Sequence, residues 1–385
     1  MRGSVIRRGS KWAVVIDVGR DPSTGKRVRR WHSGFTTRKE AERAARDLLT
    51  RVENETYVDT SQGRRSVGEF LVDEWLPAKR ATVKATTLAS YRLHVNAYIV
   101  PQLGAVRLSS LRASQLNAFY ADLLETGRCS AAGGLSPKTV RNVHGTLHKA
   151  LDDAVRWGRI ARNPAALADP PKATSPEMRI WTAHQLRAFL DHVRTDRLVA
   201  AWHLLTTTGM RRGELLGLRW VDVDLDVGCL SVRQTRVSVD YEVSVGSPKT
   251  ERATRAVALD PATIAVLRED RSRQLEDRLA WGPAWADTGL VFTREDGTEI
   301  HPQRLSQYFR RLVASSGLPT IRLHDVRHSY ATALIKAGQP IKVVSQRIGH
   351  ASPTITMAIY QHVLPSDDEE AAAAGARVIL GDSAP

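Results

Sequence analysis

Apolar positions along this 385-residue chain follow two periods, and their succession predicts its elements. Near the start, Trp12, Val14, Ile16 and Val18 recur at every second position, the mark of a half-buried strand. The run DPSTGK from Asp21 reads as a turn and 27–31 as the returning strand. A helix is expected from Thr37, where Glu40 completes a capping box, through Leu48 and Leu49. From Ser66 to Leu167 the spacing turns helical. Ser66 and Glu69 form a second capping box ahead of Phe70, Leu71, Trp75 and Leu76 on one face. A second helix is expected from about Thr87 to Tyr98, stopping before Pro101, and a third from Ala113 to Leu124. Ser136-Pro137 supplies an N-cap and first-turn pair for a fourth. Beyond Glu177, helices are expected near Thr182, Arg197 and Met210. β-branched residues then alternate from Gly228 to Val245 and from Thr254 to Leu259, and helices resume up to Tyr360.

These elements predict a mainly α chain with small β-sheets (α+β), divided into several domains. The expected division is a sheet plus helix at 1–60, a four-helix bundle at 66–167, a mixed α/β domain at 177–365 and a tail at 366–385. The stretch from Asn163 to Pro176 holds Pro164, Pro170, Pro171 and Pro176 and reads as an extended linker, with 168–176 as its core. Such a tether would let bundle and larger domain close around a duplex like a clamp.

Composition narrows the partner. With 42% apolar and 25% charged residues the chain is an ordinary folded one, and no apolar run nears the roughly 18 residues of a membrane span. MRGSVIRRGSKW lacks the apolar core of a secretion signal. Cys129 and Cys229 form neither a disulfide framework nor a zinc pattern, which fits a reducing cytosol. The net charge of +15 and pI near 10.2 imply nucleic acid before a membrane surface. The charge is uneven: residues 1–65 carry 16 Lys/Arg against 8 Asp/Glu, whereas the tail is acidic. Lys26, Arg27, Arg29 and Arg30 crowd the hairpin, and a two-stranded ribbon of that size fits a DNA major groove. In the bundle, Lys84, Lys138 and Arg141, with Lys79, His148 and Lys149 among others, are candidates to clamp phosphates.

The last 175 residues or so concentrate the candidate chemistry. Arg211 lies in TGMRRGELLGLRW, Lys249 in SPKTERATRAVAL, His324 and Arg327 in LHDVRHSYAT, His350 at the end of RIGH and Tyr360 in AIYQHV. Two guanidiniums can each donate paired N–H bonds to a phosphate that gains negative charge as it is attacked. Arg211 and Glu214 share a helix face at three-residue spacing, so Glu214 would orient that guanidinium, while Arg212 points away. His324 and Arg327 share the start of another helix. Lys249 is the only lysine between Lys172 and Lys336 in a chain with 11 lysines among 56 basic residues. A lysine there suits a proton donor to a leaving 5′-oxygen, because arginine does not give up its proton. Tyr360 is the candidate nucleophile. Tyr330 is its competitor but is expected in the core, and His328 is taken as structural. No carboxylate or His/Cys cluster has metal-ligand spacing, and no Gly-rich phosphate loop is present.

In the order Arg, Lys, His-x-x-Arg, His, Tyr, these six residues resemble the signature of the tyrosine recombinases, the phage-integrase family. The segment 66–167 looks like that family's core-binding domain, and the basic head like the arm-binding domain (a three-stranded sheet plus helix) of integrases from phages and integrative elements. The resemblance implies site-specific cutting and rejoining of double-stranded DNA at core and arm attachment sites, through a 3′-phosphotyrosyl link and without metal or cofactor. It further implies a homotetramer exchanging strands through a Holliday junction, with an excisionase and a host DNA-bending protein as partners, no membrane, and a cytoplasmic, nucleoid-associated setting. The C-terminal tail would dock on a neighbouring subunit. Alternatives are a type IB topoisomerase, which shares the chemistry but religates the same strand, a Xer-like resolvase, and a non-catalytic DNA-binding regulator.

Overall fold

The computed structural model describes residues 3–20, 24–53, 65–127, 133–172, 179–246, 254–350, 352–360, 375 and 379. The chain forms two compact units, Met1–Pro176 and Glu177–Pro385.

The first unit opens with an antiparallel sheet of β1 (Gly3–Arg8), β2 (Lys11–Arg20) and β3 (Arg27–Phe35), in that order, followed by α1 (Arg38–Glu53). Alternation identifies β2 and β3; β1, mostly exposed, has no such pattern and is found by pairing, with Val5 opposite Val14. Val14 and Ile16 bury against Ala41 and Ala45 of α1. Thr37 caps α1 as expected, its hydroxyl accepting from Glu40 N at 3.2 Å. The Glu40 carboxylate turns instead to Thr36 N at 3.0 Å.

The rest of this unit is helical: α2 (67–80), α3 (85–103), α4 (Ala113–Thr126) and α5 (Pro137–Arg156). The capping box of α2 forms in both directions, Glu69 N to Ser66 Oγ at 3.1 Å and Ser66 N to Glu69 Oε2 at 2.7 Å. Ser136 caps α5. The second helix does not stop before Pro101. Its turns widen over His94–Ile99, where Val100 N–H bonds Val95 O five residues back, and Pro101 enters in the first turn after that switch. Where the bonding register changes, a missing N–H breaks no regular ladder.

Two further expectations are corrected. Residues 163–169 are not a free tether: Asn163 Nδ2 donates to His148 O at 3.0 Å and Asp152 Oδ1 at 2.7 Å, Ala165 is buried, and Asp169 N donates to Asn117 Oδ1 at 2.8 Å. Lys172 is the last described residue there, and 173–178 lie outside the described residues. Nor is Lys79 available to a phosphate. It is buried and pairs at 2.5 Å with Asp153, which is fully buried and also accepts from Trp75 Nε1 at 2.9 Å. Burial alone would raise the Asp153 pKa; Lys79, Trp75 and Lys149 outweigh it and hold the carboxyl below its usual range.

The second unit packs α6 (Ala183–His192), α7 (Val199–Thr208), α9 (Pro261–Trp281), α10 (Pro302–Ser315) and α11 (Leu323–Lys336) around one core. Trp181, Phe189, Trp202 and Phe309 meet at its centre. Between α7 and α9 come the short α8 (Arg212–Leu216) and five strands, β4 (Val223–Asp224), β5 (Cys229–Val232), β6 (Thr235–Val239), β7 (Glu242–Gly246) and β8 (Arg255–Ala258). They form a β4-β5-β8 sheet and a β6-β7 hairpin, all antiparallel. Asp240 and Tyr241 turn the hairpin with φ of 51° and 67°, the left-handed pair a tight two-residue turn requires. Two more helices, α12 (Ile341–Ile348) and α13 (Pro353–Tyr360), follow α11. The acidic tail at 366–385, except Gly375 and Ile379, lies outside the described residues.

Candidate active site

Glycine ends α7: Gly209 sits at φ 64° and ψ 25°, the left-handed geometry that stops a helix. The chain then reaches Arg211 in extended backbone. Arg211 is therefore the cap of α8 rather than a member of it, and its pairing with Glu214 is that of a cap with the third helical residue. Arg211 N donates to Glu214 Oε2 at 3.0 Å and Nη1 to Oε1 at 2.7 Å. The other guanidinium nitrogen, Nη2, donates to Gly349 O at 2.8 Å. Glu214 is 3% exposed, and its Oε2 also accepts from Arg255 Nη2 at 2.9 Å. Burial would raise the Glu214 pKa; Arg255 and Arg211 outweigh it, and the group stays an anion.

Helix α11 starts where Arg322 N and guanidinium bond the Asp325 carboxylate. That start puts His324 in the first turn and Arg327 one turn on. Arg327 is 2% exposed and its Nη1 donates to Gly209 O at 2.8 Å. His324 stands edge-on to His328, ring centres 5.0 Å apart. Burial lowers the His324 pKa, and the Arg327 and Arg211 charges lower it further. His328 is pushed down to about 4, chiefly by burial and then by His324.

Gly349, at φ 69°, ends α12 and delivers His350. His350 N donates to Ser345 O at 3.0 Å, and Nδ1 lies 2.9 Å from Thr356 Oγ1 of α13, which fixes the ring. Its pKa falls to about 4, first through burial, then through Arg327 and Arg211. Arg211 bonds the carbonyl next to His350, and Arg327, one turn after His324 on α11, bonds the carbonyl two residues before Arg211, so Arg211, Arg327, His324 and His350 share one pocket. At neutral pH that pocket holds two permanent cations and two neutral imidazoles, suited to an anion whose charge grows during a reaction.

Lys249 lies outside the described residues. Tyr360 closes α13, but its side chain is outside what is described. Arg212 turns away to Ser306 Oγ at 2.7 Å. Tyr330 is buried among Ala331, Ile335, Val344 and Ile348, and its hydroxyl accepts from Arg347 Nε, which leaves it no role as a nucleophile. Four partners of the pocket were not singled out by sequence reasoning: Arg255, Thr356 and the carbonyls of Gly209 and Gly349. The first lies in the Lys249 motif, six residues on, yet one arginine in an arginine-rich chain carries no signal. Among the described residues no group of three or more His, Cys, Asp or Glu can hold a metal ion.

In the first unit, Lys26, Arg27 and Arg29 are exposed on the hairpin and Arg30 is half-buried. Lys84 is exposed at the start of α3, and Lys138 and Arg141 are exposed three residues apart on α5.

Comparison with known proteins adds three matches to family models. Residues 179–367 match the phage integrase family, 4–52 an arm DNA-binding domain, and 69–124 the N-terminal SAM-like domain of phage integrases. The chain is 29% identical to a tyrosine recombinase XerC-like protein of Caldanaerobacter subterraneus subsp. tengcongensis, over 95% of this chain and 96% of the relative. It is 26% identical to the ICEBs1 integrase of Bacillus subtilis, over 94% and 96%. Its fold resembles that of the Tn1549 transposon integrase, solved with transposon right end DNA, with a TM-score of 0.65 at 23% identity over 77% of this chain and 94% of that one. A lambda integrase dimer bound to a core site gives a TM-score of 0.57 at 19% identity over 92% and 93%. With these matches spread along its length, the chain belongs to the phage integrase family, the tyrosine recombinases.

Proposed function

We propose that this chain is a site-specific DNA recombinase that integrates and excises a mobile element, and that Arg211, Lys249, His324, Arg327, His350 and Tyr360 are its catalytic residues. One observation carries the reading: Arg211 Nη2 bonds the carbonyl just before His350 and Arg327 Nη1 the carbonyl two residues before Arg211, which brings both guanidiniums and the two histidines together ahead, along the chain, of the helix that ends at Tyr360.

A scissile phosphate in this pocket accepts from the two guanidiniums. The Tyr360 phenol gives its proton to one of the neutral imidazoles as its oxygen attacks phosphorus, a P–O bond to tyrosine forms, and the P–O5′ bond breaks. The departing 5′-oxygen takes a proton from Lys249, leaving a 3′-phosphotyrosyl link and a 5′-hydroxyl. The 5′-hydroxyl of a partner strand then attacks that link, returning a proton to Lys249, and the P–O bond to tyrosine breaks as Tyr360 takes its proton back from the imidazole. One ester replaces another at each step, so no external energy source is consumed. His350, with the Thr356 hydroxyl donating to Nδ1, offers an Nε2–H to a phosphate oxygen; His324 binds the same group from α11. The phosphate charge raises the pKa of both imidazoles, which favours their protonated form, so that each can set a positive charge against the phosphate as its negative charge grows.

The head at 1–60 binds arm sites, with Lys26, Arg27, Arg29 and Arg30 on its hairpin, and the bundle at 66–167 grips core DNA through Lys84, Lys138 and Arg141. The linker at 168–176 joins it to the catalytic domain at 177–365, and four copies assemble on two duplexes, the tail at 366–385 linking neighbours. An excisionase and a host bending protein set direction, on the nucleoid. The arm domain favours this reading over a type IB topoisomerase. To test it, duplexes with a randomised core and a nick beside the cleavage position are trapped covalently on the full chain and sequenced. A defined core site should emerge, and Tyr360→Phe should bind it without forming a covalent complex. Trapping by Tyr360→Phe would exclude Tyr360 as the nucleophile, and relaxation of supercoiled DNA lacking any core site would favour the topoisomerase.

A further inference from the structure

The structure assigns Arg255 a positioning role: it holds Arg211 and the turn before His350 in one rigid ring. The inference rests on the catalytic reading above. Arg255 lies on β8 with its side chain 7% exposed. Its Nη2 donates to Glu214 Oε2 at 2.9 Å, while Arg211 Nη1 holds the other oxygen at 2.7 Å. Its Nε donates to Arg347 O at 2.8 Å, at the end of α12. Two residues on, the carbonyl of Gly349 accepts from Arg211 Nη2 at 2.8 Å and closes the ring. Arg347 returns the link, its Nη2 donating to Ala258 O of β8 at 3.0 Å.

Gly349 shows how tightly the ring is built. A Cβ there would stand 2.7 Å from Arg255 Nη1, 3.0 Å from Cζ and 3.2 Å from Nε, so the turn lies flat on the guanidinium plane. Its φ of 69° is also one that side chains resist. His350 is the next residue, so the plane of Arg255 sets where that imidazole begins.

Charge gives the second reason. Glu214 paired with Arg211 alone would be a neutral couple, and the carboxylate would compete with the phosphate for the guanidinium. A second guanidinium on Glu214 leaves the trio with one net positive charge, which Arg211 can turn toward the phosphate. Lysine cannot substitute, because one ammonium lacks the planar fork that reaches Glu214 and the Arg347 carbonyl together.

The test compares the full chain with Arg255→Lys and Arg255→Ala on the selected nicked duplex, with an ordinary scissile phosphate and with a methylphosphonate. The methylphosphonate lacks one charged oxygen and so needs less help from Arg211. Melting temperature and DNA affinity are measured alongside. Arg255→Lys should cleave the phosphate on the order of 100-fold more slowly, as about 1 Å of misplacement costs, with affinity within about twofold of the parent. On the methylphosphonate the deficit should shrink to about threefold or less. An equal deficit on both substrates, or one that follows loss of folding or of DNA affinity, would reduce Arg255 to a structural residue. Unimpaired cleavage by both variants would remove the role altogether. If the parent chain itself traps no duplex, it is the recombinase reading that fails, and the positioning role with it.

Discussion

Replacing Gly209 by alanine tests how the fold supports the pocket. Gly209 has φ 64°, and a Cβ there would stand 2.7 Å from Tyr330 Cδ1 and 3.3 Å from Ile348 Cγ2. The ring cannot swing aside cheaply: it is packed by Ala331, Ile335 and Val344, and Arg347 Nε holds its hydroxyl. The left-handed backbone costs an alanine about 1 kcal/mol, and forcing a methyl into a filled site about 1–3 kcal/mol more. The expected loss is thus about 2–4 kcal/mol of stability. Activity should fall further than stability, because the Gly209 carbonyl holds Arg327 Nη1 at 2.8 Å, and a shift of about 1 Å there is worth on the order of 100-fold in rate. Gly317→Ala is the control: its φ is 70°, yet nothing lies within 4 Å of the added methyl. That variant should lose about 1 kcal/mol in urea melts and cleave the selected duplex at the parent rate. If both variants are destabilised equally and cleave equally, the Tyr330 contact and the Arg327 anchor do not support the pocket as argued.

Three further predictions follow from other parts of the chain. Asp153→Ala strands the buried Lys79 and should cost the bundle about 3–5 kcal/mol in urea unfolding, with part of the loss recovered in the double variant with Lys79→Met. His328, 9% exposed with its pKa pushed from 6.5 to about 4, is neutral in the fold, so the unfolded chain takes up its proton first. Its contribution is intact above pH 6.5 and is lost as pH falls toward 4, a span of about 3 kcal/mol; the DNA-free parent should lose melting temperature over that window faster than His328→Gln. Deleting residues 1–60 should spare cleavage of an isolated core site but impair integration between full attachment sites, and unchanged integration would end the arm-binding reading.

Much of the local structure was legible because its causes span only a few residues. Ser66 with Glu69 and Ser136 ahead of Pro137 start helices where the pattern places them. Pro101 misled because a widened turn absorbs a proline that a regular helix rejects. Lys79 misled because composition cannot tell a solvated lysine from one neutralised by Asp153 in a core. Asn163 to Asp169 read as tether because proline excludes regular structure, yet side-chain amides fasten it all the same.

Alone, the sequence determined most of the order of elements and the basic charge, and it singled out six residues as candidates for phosphate-transfer chemistry, since periodicity, caps and motif contexts are local. What only the tertiary structure decided is which atoms aim those residues. Arg211 is held by a carbonyl 138 positions away and Arg327 by one 118 positions away. Backbone carbonyls have no side-chain identity to read, and Arg255 is one of many arginines until folding lays it beneath Gly349.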